Sequence, residues 1–148
     1  MYLLQKLTKI TDALENEREF EYDGLGRLLD SEDLHDPEDY SFGSYSYNHD
    51  DSGNMTSKTD PENRTVNYAY DDLNRVLTED FTGKAGTEIS YGYDNCPDGI
   101  GRLCTATSTD AVTAYEYDSL GLIQTENKII NASAYRTTYG YDRRATAP

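Results

Sequence analysis

The sequence has no tryptophan, 3 phenylalanines, 4 prolines, 2 cysteines and only 13 lysines and arginines among its 148 residues. Each shortage excludes something. Thirteen basic residues against 28 acidic ones leave a formal net charge of −15. That sign repels phosphate backbones and anionic lipid headgroups, so neither a nucleic-acid partner nor a membrane-surface role is expected. No run of about 18 apolar residues occurs, so membrane insertion through a helix is not expected either. The opening stretch, MYLLQKLTKITDALENERE, lacks a basic segment followed by an adequate apolar one. No signal peptide is visible there, which says nothing firm about export if the reading frame is a fragment. Apolar residues make up 36% of the chain and mean hydropathy is −0.83, low for a self-sufficient globular core. The length suits one domain or a piece of a larger one.

Tyrosine is what the chain has instead, with 14 copies. Its ring is a large apolar surface whose hydroxyl can stay wet, which suits thin or half-exposed layers. Disordered chains are poor in aromatics, and this one is not.

The tyrosines are periodic. Aromatic–x–Tyr triplets followed by an acid or amide read FEYD at 20–23, YSYN at 45–48, YAYD at 68–71, YGYD at 91–94, YEYD at 115–118 and YGYD at 139–142. Eleven of the fourteen tyrosines lie in them, and the second tyrosines (Tyr22, Tyr47, Tyr70, Tyr93, Tyr117 and Tyr141) are 23 to 25 residues apart. The first aromatics are Phe20, Tyr45, Tyr68, Tyr91, Tyr115 and Tyr139; the acids that follow include Asp23, Asp71, Asp94, Asp118 and Asp142. A fixed period of this length means stacked supersecondary units, each burying its apolar face against neighbours.

Downstream of each triplet comes a turn residue and then an apolar one: Gly26, Arg27 and Leu28; Gly53, Asn54 and Met55; Asn74, Arg75 and Val76; Gly101, Arg102 and Leu103; Gly121, Leu122 and Ile123. Gly and Asn tolerate the positive φ of a tight hairpin, and the apolar residue restarts a strand. Two copies read as carrying insertions, one at His49 and Asp50, the other at 95–99. A second turn signal, Asp or Asp-Pro at Asp12, Asp36, Asp60 and Asp110, precedes the next triplet by about half a repeat. One repeat is thus strand, turn, strand, turn. The expected fold is all-β, consecutive antiparallel hairpins in one curved, open sheet. Period-two alternation places both tyrosines of a triplet on one face, where successive copies form a tyrosine ladder that serves as the core. Tyr70, Tyr93 and Tyr117 should then be more buried than Tyr2, Tyr40 or Tyr135. In the first twenty residues Leu3, Leu7, Ile10 and Leu14 fall at helical spacing, but 9–12 match 57–60 in register, which favours a strand and turn from about Thr8. Residues 1–7 stay undetermined, 8–142 form the tandem repeats, and 143–148 are a tail.

These residues carry a resemblance. YxYDxxGRL together with GNMTSKTDPENRTVNYAYDDLNRVL is similar to the Rhs/YD-repeat family, over about Thr8 to Asp142. That family includes bacterial Rhs polymorphic toxins, the C components of insecticidal toxin complexes, wall-associated proteins and the animal teneurins. The resemblance implies a long sheet spiralling into a hollow shell, often around a C-terminal toxin or an adhesion module. It also implies a secreted or cell-surface setting, with the rest of a longer shell and its toxin or effector as partners. Six repeats are too few to close such a shell, and neither an end-of-shell segment nor a toxin domain follows Asp142.

No enzyme, cofactor or metal site is expected. His35 and His49 lie in acidic, turn-rich stretches and read as solvated loop histidines, with no nucleophile placed beside them. Asn48, Asp50 and Ser52 start like a calcium loop, but position twelve is Thr59 where a bidentate Glu is required. Paired carboxylates such as Asp71 and Asp72 read as solvated turn residues. Cys96 and Cys104 flank an inserted turn, and two readings stand: a short disulfide across the hairpin, or packed free thiols. Asn54, Asn63 and Asn131 head glycosylation-type triplets, to which no function is assigned. Two functions follow. One is a structural shell segment; the other is a glycan- or protein-binding surface using exposed tyrosines. Isolated, the chain should be marginal or should self-associate through its unpaired edge strands.

Overall fold

The computed structural model describes residues 5–142; Tyr2, Leu3 and the tail at 143–148 lie outside them. The described residues form twelve strands and no helix. The chain divides into two compact units, one ending at Gly86 and the other starting at Thr87.

The first unit holds β1 (Lys9–Thr11), β2 (Glu17–Tyr22), β3 (Leu28–Glu32), β4 (Ser44–His49), β5 (Met55–Thr59), β6 (Thr65–Tyr70) and β7 (Val76–Phe81). The second holds β8 (Ile89–Tyr93), β9 (Leu103–Ser108), β10 (Ala111–Tyr117), β11 (Ile123–Ile130) and β12 (Ser133–Thr138). In each unit strand order follows chain order, and each strand pairs antiparallel with the next. Local connections of this kind make an antiparallel meander, so the all-β expectation holds. At the start of the chain, β1 and the turn after it occupy the stretch where a helix was the rival reading.

The hairpins share one irregularity. A β-bulge sits just before the second tyrosine in each, so Tyr22 faces Leu28, Tyr70 faces Val76, Tyr93 faces Leu103 and Tyr117 faces Ile123. The extra residue lies on the return strand and increases its twist. Register also steps by two residues per hairpin. Thr105 faces both Gly92 and Ala114, which aligns Tyr93 with Tyr115 and carries Tyr117 two residues beyond.

Alternation is clean along the tyrosine-bearing strands of the first unit. Along β6 the tyrosine face (Val66, Tyr68, Tyr70) is half-buried and the opposite face (Asn67, Ala69) exposed; β4 shows the same. Within each unit strands touch only their chain neighbours, leaving a single layer. The ladder is therefore a half-buried face and not an enclosed core. Among the described residues only Ser31, Gly99, Cys104, Thr113 and Thr125 are buried. Tyr70, Tyr93 and Tyr117 are half-buried, while Tyr40 is 89% and Tyr135 59% exposed. The register also corrects the picture of ring against ring. Tyr68 faces Glu79, Tyr115 faces Glu126, Tyr47 faces Lys58 and Tyr91 faces Ala106, because a return strand intervenes between successive tyrosine strands.

The second copy departs from the expected layout. His49 is the last residue of β4 and faces Met55 after the bulge, so it occupies the place of a second tyrosine. Tyr45 and Tyr47 sit two residues early. The loop at 50–54 has ordinary length, and the extra residues of this copy lie instead between β3 and β4. There His35 bridges Glu17 and stacks on Phe42 with ring centroids 3.7 Å apart. Neither histidine is a free loop side chain.

Candidate functional site

The repeat itself is the most developed polar structure in the chain, and its unit is a five-residue aspartate loop. At 23–27 the Asp23 backbone N–H donates to the Arg27 carbonyl (2.9 Å) and the Gly26 N–H to the Asp23 carbonyl (2.9 Å). The Asp23 carboxylate fills the inside. Its Oδ1 accepts from the N–H of Leu25 and of Arg27, both at 2.9 Å, and Oδ2 accepts from Arg27 Nε at 2.6 Å. These bonds to the charged form hold the Asp23 carboxyl at about 2, the Arg27 backbone N–H being the largest cause. Chain reversal places the fourth residue at positive φ: Gly26 (81°), Gly53 (90°), Gly121 (79°), Asn74 (60°), Asn63 (59°) and Glu15 (66°). Only glycine, or a short polar side chain, visits that region at low cost.

The same loop recurs at 12–16, 50–54, 60–64, 71–75 and 118–122. At Asp12 and Asp60 the second turn of the repeat is therefore the same loop as the first. The Asp-Pro turn after β5 and the Tyr-Asp turn after β6 are one device, legible in the parallel DPENR at 60–64 and DDLNR at 71–75. The fifth position supplies Arg, Asn or Leu, and the first two close the loop onto Oδ2. It also explains why Asn48, Asp50 and Ser52 do not make a calcium loop. Asn54 occupies both oxygens of the Asp50 carboxylate, through its backbone N–H and its amide.

A longer version spans 94–102, where the Asp94 N–H donates to the Arg102 carbonyl and the Gly101 N–H to Asp94 Oδ1. Its four extra residues are pinned by Cys96 and Cys104, whose sulfurs are joined with Cα atoms 5.5 Å apart. Cys104 is the bulged residue of β9 and is 2% exposed. Gly99 lies against this bond; a Cβ there would fall on Cys96 Sγ and lie 2.7 Å from Cys104 Sγ.

Two columns of contacts tie successive copies together. In the first, the second tyrosine reaches back to the carbonyl that opens the previous copy's return strand. Tyr22 Oη donates to Leu7 (3.0 Å), Tyr70 to Met55 (2.8 Å), Tyr117 to Leu103 (2.6 Å) and Tyr141 to Ile123 (2.8 Å). In the second, the fifth loop residue reaches the next loop. Arg27 Nη1 donates to the Asp50 carbonyl, Asn54 Nδ2 to Asn74 Oδ1 (2.8 Å), and Arg102 lies over the Tyr117 ring and against Gly121.

Residues 49–85 match the family model of the RHS repeat. The match covers 37 of the chain's 148 residues. That stretch contains three of the aspartate loops, at 50–54, 60–64 and 71–75, and the Tyr70–Met55 bond. The chain is similar in fold to solved structures. A crystal structure of TcdB2-TccC3-TEV aligns with a TM-score of 0.69 and 16% identity, over 85% of this chain and 7% of that one. A crystal structure of TcdB2-TccC3-Cdc42 gives 0.69 and 14%, over 86% and 7%. The Photorhabdus luminescens Tc holotoxin pore, with a mutation in TccC3, gives 0.69 and 17%, over 86% and 7%. The chain thus spans about 7% of the length of those chains, and at such identity the shared property is the fold. Among curated protein sequences none matches it significantly.

No arrangement among the described residues pairs a nucleophile with a base. His35 Nδ1 contacts the Asp33 carbonyl at 2.8 Å, and His49 Nδ1 is buried without a partner. Among the described residues no group of three or more His, Cys, Asp or Glu is placed to hold a metal ion. The first unit has an open groove of about 560 Å³ beside Tyr45, Lys58, Arg64 and Phe81. Lys58 lies over Tyr45, 5.1 Å from its centroid, and Arg64 is paired with Asp60 and Glu62.

Proposed function

We propose that this chain is a structural segment of an RHS-repeat shell that encloses or presents a toxin or effector module within a larger secreted or cell-surface protein. The observation that carries the reading is the tyrosine lock. In four copies the second tyrosine's hydroxyl is satisfied by the backbone of the stretch before it, so the polar chemistry of the repeat is spent on continuing the sheet. The fold likeness to structures containing TccC3 supports the same reading.

Glycan or protein binding by the tyrosine face receives less support. Tyr22, Tyr70, Tyr117 and Tyr141 present hydroxyls already engaged, and Tyr22, Tyr70 and Tyr117 face aliphatic residues across their hairpins. Electron microscopy of the polypeptide encoded by the intact locus is the test. A closed β-wall containing these residues, with a downstream module protected from protease, is the expected result. Micromolar binding of a glycan to the chain, abolished by Tyr45→Ala, would transfer the function to the binding reading.

A further inference from the structure

Across β4 to β7 the tyrosine face changes character toward one end of the strands. Register sets Tyr47 against Lys58, Lys58 against Val66 and Val66 against Phe81. Val66 lies near the start of β6 and Phe81 ends β7, whereas Tyr70, with its engaged hydroxyl, ends β6. The groove of about 560 Å³ lies at this end, lined by Tyr45, Lys58, Val66, Phe81 and residues of the turns at 60–64 and 82–84. All of its lining residues belong to the first unit.

Two lysines in this groove meet rings and not acids. Lys58 Nζ lies 5.1 Å from the Tyr45 ring centroid and 6.0 Å from that of Tyr47; Lys84 Nζ lies 5.2 Å from that of Phe81. Among the described residues neither lysine has a carboxylate partner, in a chain with 28 acids. The groove's other cation, Arg64, is held by Asp60 and Glu62, which also accounts for those two acids. We infer that the groove binds an extended acidic peptide segment of a partner protein, Lys58 and Lys84 each taking one of its carboxylates.

Spacing and charge support that occupant. Lys58 and Phe81 face the same Val66 from either side, which sets them two strands apart, about 10 Å. Carboxylates on alternate residues of an extended chain are about 7 Å apart, and the flexible lysine stems close the difference. The groove has the volume of a small-ligand site, so it takes a few residues of chain and not a folded domain. A stacked sugar is less suited, because it would have to displace the ammonium group lying over each ring. Asp33, which crowds Gly43 beside Pro61, disfavours a carboxylate at that end of the groove. The net charge of −15 repels an acidic partner at a distance. At physiological salt the Debye length is about 8 Å, so the contact pairs decide the affinity.

The inference goes beyond the shell reading and does not depend on it, so the failure of either leaves the other standing. The test titrates the 148-residue chain into a fluorescein-labelled octapeptide of alternating Glu and Ser and reads anisotropy. Salt is held at about 150 mM, where the distant charges are screened. Binding should saturate with a Kd on the order of 100 μM, and Lys58→Gln and Lys84→Gln should each weaken it roughly tenfold. Lys58→Arg should bind like the unsubstituted chain, and so should Lys128→Gln, whose site lies on β11 in the second unit. Lys84 is exposed and follows β7, so Lys84→Gln reads the groove even if Lys58→Gln disturbs the sheet. Absence of saturation, or affinity unchanged in both glutamine variants, would overturn the inference. So would equal binding of a peptide with Gln in place of Glu. Tighter binding of trigalacturonate than of the peptide would overturn it in favour of an acidic sugar.

Discussion

Tyr70 donates its hydroxyl proton to the carbonyl of Met55, fifteen residues earlier and 2.8 Å away. The two-residue step of register per hairpin makes this possible, because it carries each second tyrosine past the end of the preceding strand. The bond is lost without disturbing the ring in Tyr70→Phe, which should cost about 1 kcal/mol in denaturant unfolding. Tyr117→Phe should cost the same. Truncation of the half-buried Tyr93 to Ala should cost about 2–3 kcal/mol, less than a fully buried ring would. Tyr40→Ala should change stability by less than about 0.5 kcal/mol, since Tyr40 is 89% exposed.

His49 stands where the other hairpins have a second tyrosine, and its buried Nδ1 has no partner. An imidazole is too short to reach the preceding copy's carbonyl, that of Leu28. His49→Tyr should therefore stabilise the chain by about 1 kcal/mol, as a net hydrogen bond does. His49→Phe separates the ring from the hydroxyl. Equal melting temperatures for the two variants would show that the hydroxyl contributes nothing here.

The aspartate loops should be sensitive at their first and fourth positions and tolerant between them. Asp71→Ala removes acceptors for Leu73, Arg75 and the Arg75 guanidinium, and should cost about 1–3 kcal/mol. Asp72→Ala, at an exposed position in the same loop, should cost almost nothing. Asn74 has φ of 60°, so Asn74→Val should cost about 1–2 kcal/mol and Asn74→Gly should be tolerated. Urea titration of the four variants gives the order.

Acid should undo these loops together. Asp23, Asp60 and Asp71 are held below the ordinary carboxyl range chiefly by the backbone N–H of the arginine four residues on; Asp12 and Asp50 chiefly by the amide of Asn16 and Asn54. A carboxyl whose folded value is depressed contributes stability that is complete above its unfolded value and is lost as pH falls through the folded one. For Asp23 that window runs from 3.8 down to about 2. Melting temperature measured from pH 5 to pH 2 should fall, and the fall should be shallower in Asp23→Asn. A variant with an unchanged slope would show that the carboxylate gains nothing from the loop.

The Cys96–Cys104 pair closes a short loop, and its removal by double substitution with Ser should cost about 2–3 kcal/mol on a chain-entropy account. Protein purified under oxidising conditions and denatured without reductant should leave both cysteines unlabelled by maleimide. Gly99→Ala should destabilise the oxidised form by about 1–3 kcal/mol, because the new methyl falls on both sulfurs. Reduction should shrink that difference.

Strand number and chain direction were legible in the sequence because they depend on local chemistry. Tyrosines two apart must share a strand face, and an Asp followed three residues later by Gly or Asn turns the chain within a few residues. The loop at 94–102 was readable for the same reason: its extra residues sit between recognisable anchors. The identity of the two turn types was also in the sequence, in the parallel of DPENR and DDLNR, but proline at 61 masked it by suggesting a different turn.

Tertiary structure decided what depends on register between strands distant from any one turn. A period of 23 to 25 residues does not reveal that each hairpin bulges before its second tyrosine and steps by two residues. That step separates the rings by a return strand and sends the hydroxyls of Tyr22, Tyr70, Tyr117 and Tyr141 to backbone carbonyls earlier in the chain. It also makes His49, and not Tyr47, the counterpart of Tyr70. Side-chain alternation fixes only which face a residue occupies, and a shift of two residues leaves every face unchanged. The partner of each tyrosine is set by hydrogen bonding across three strands, which no local pattern records.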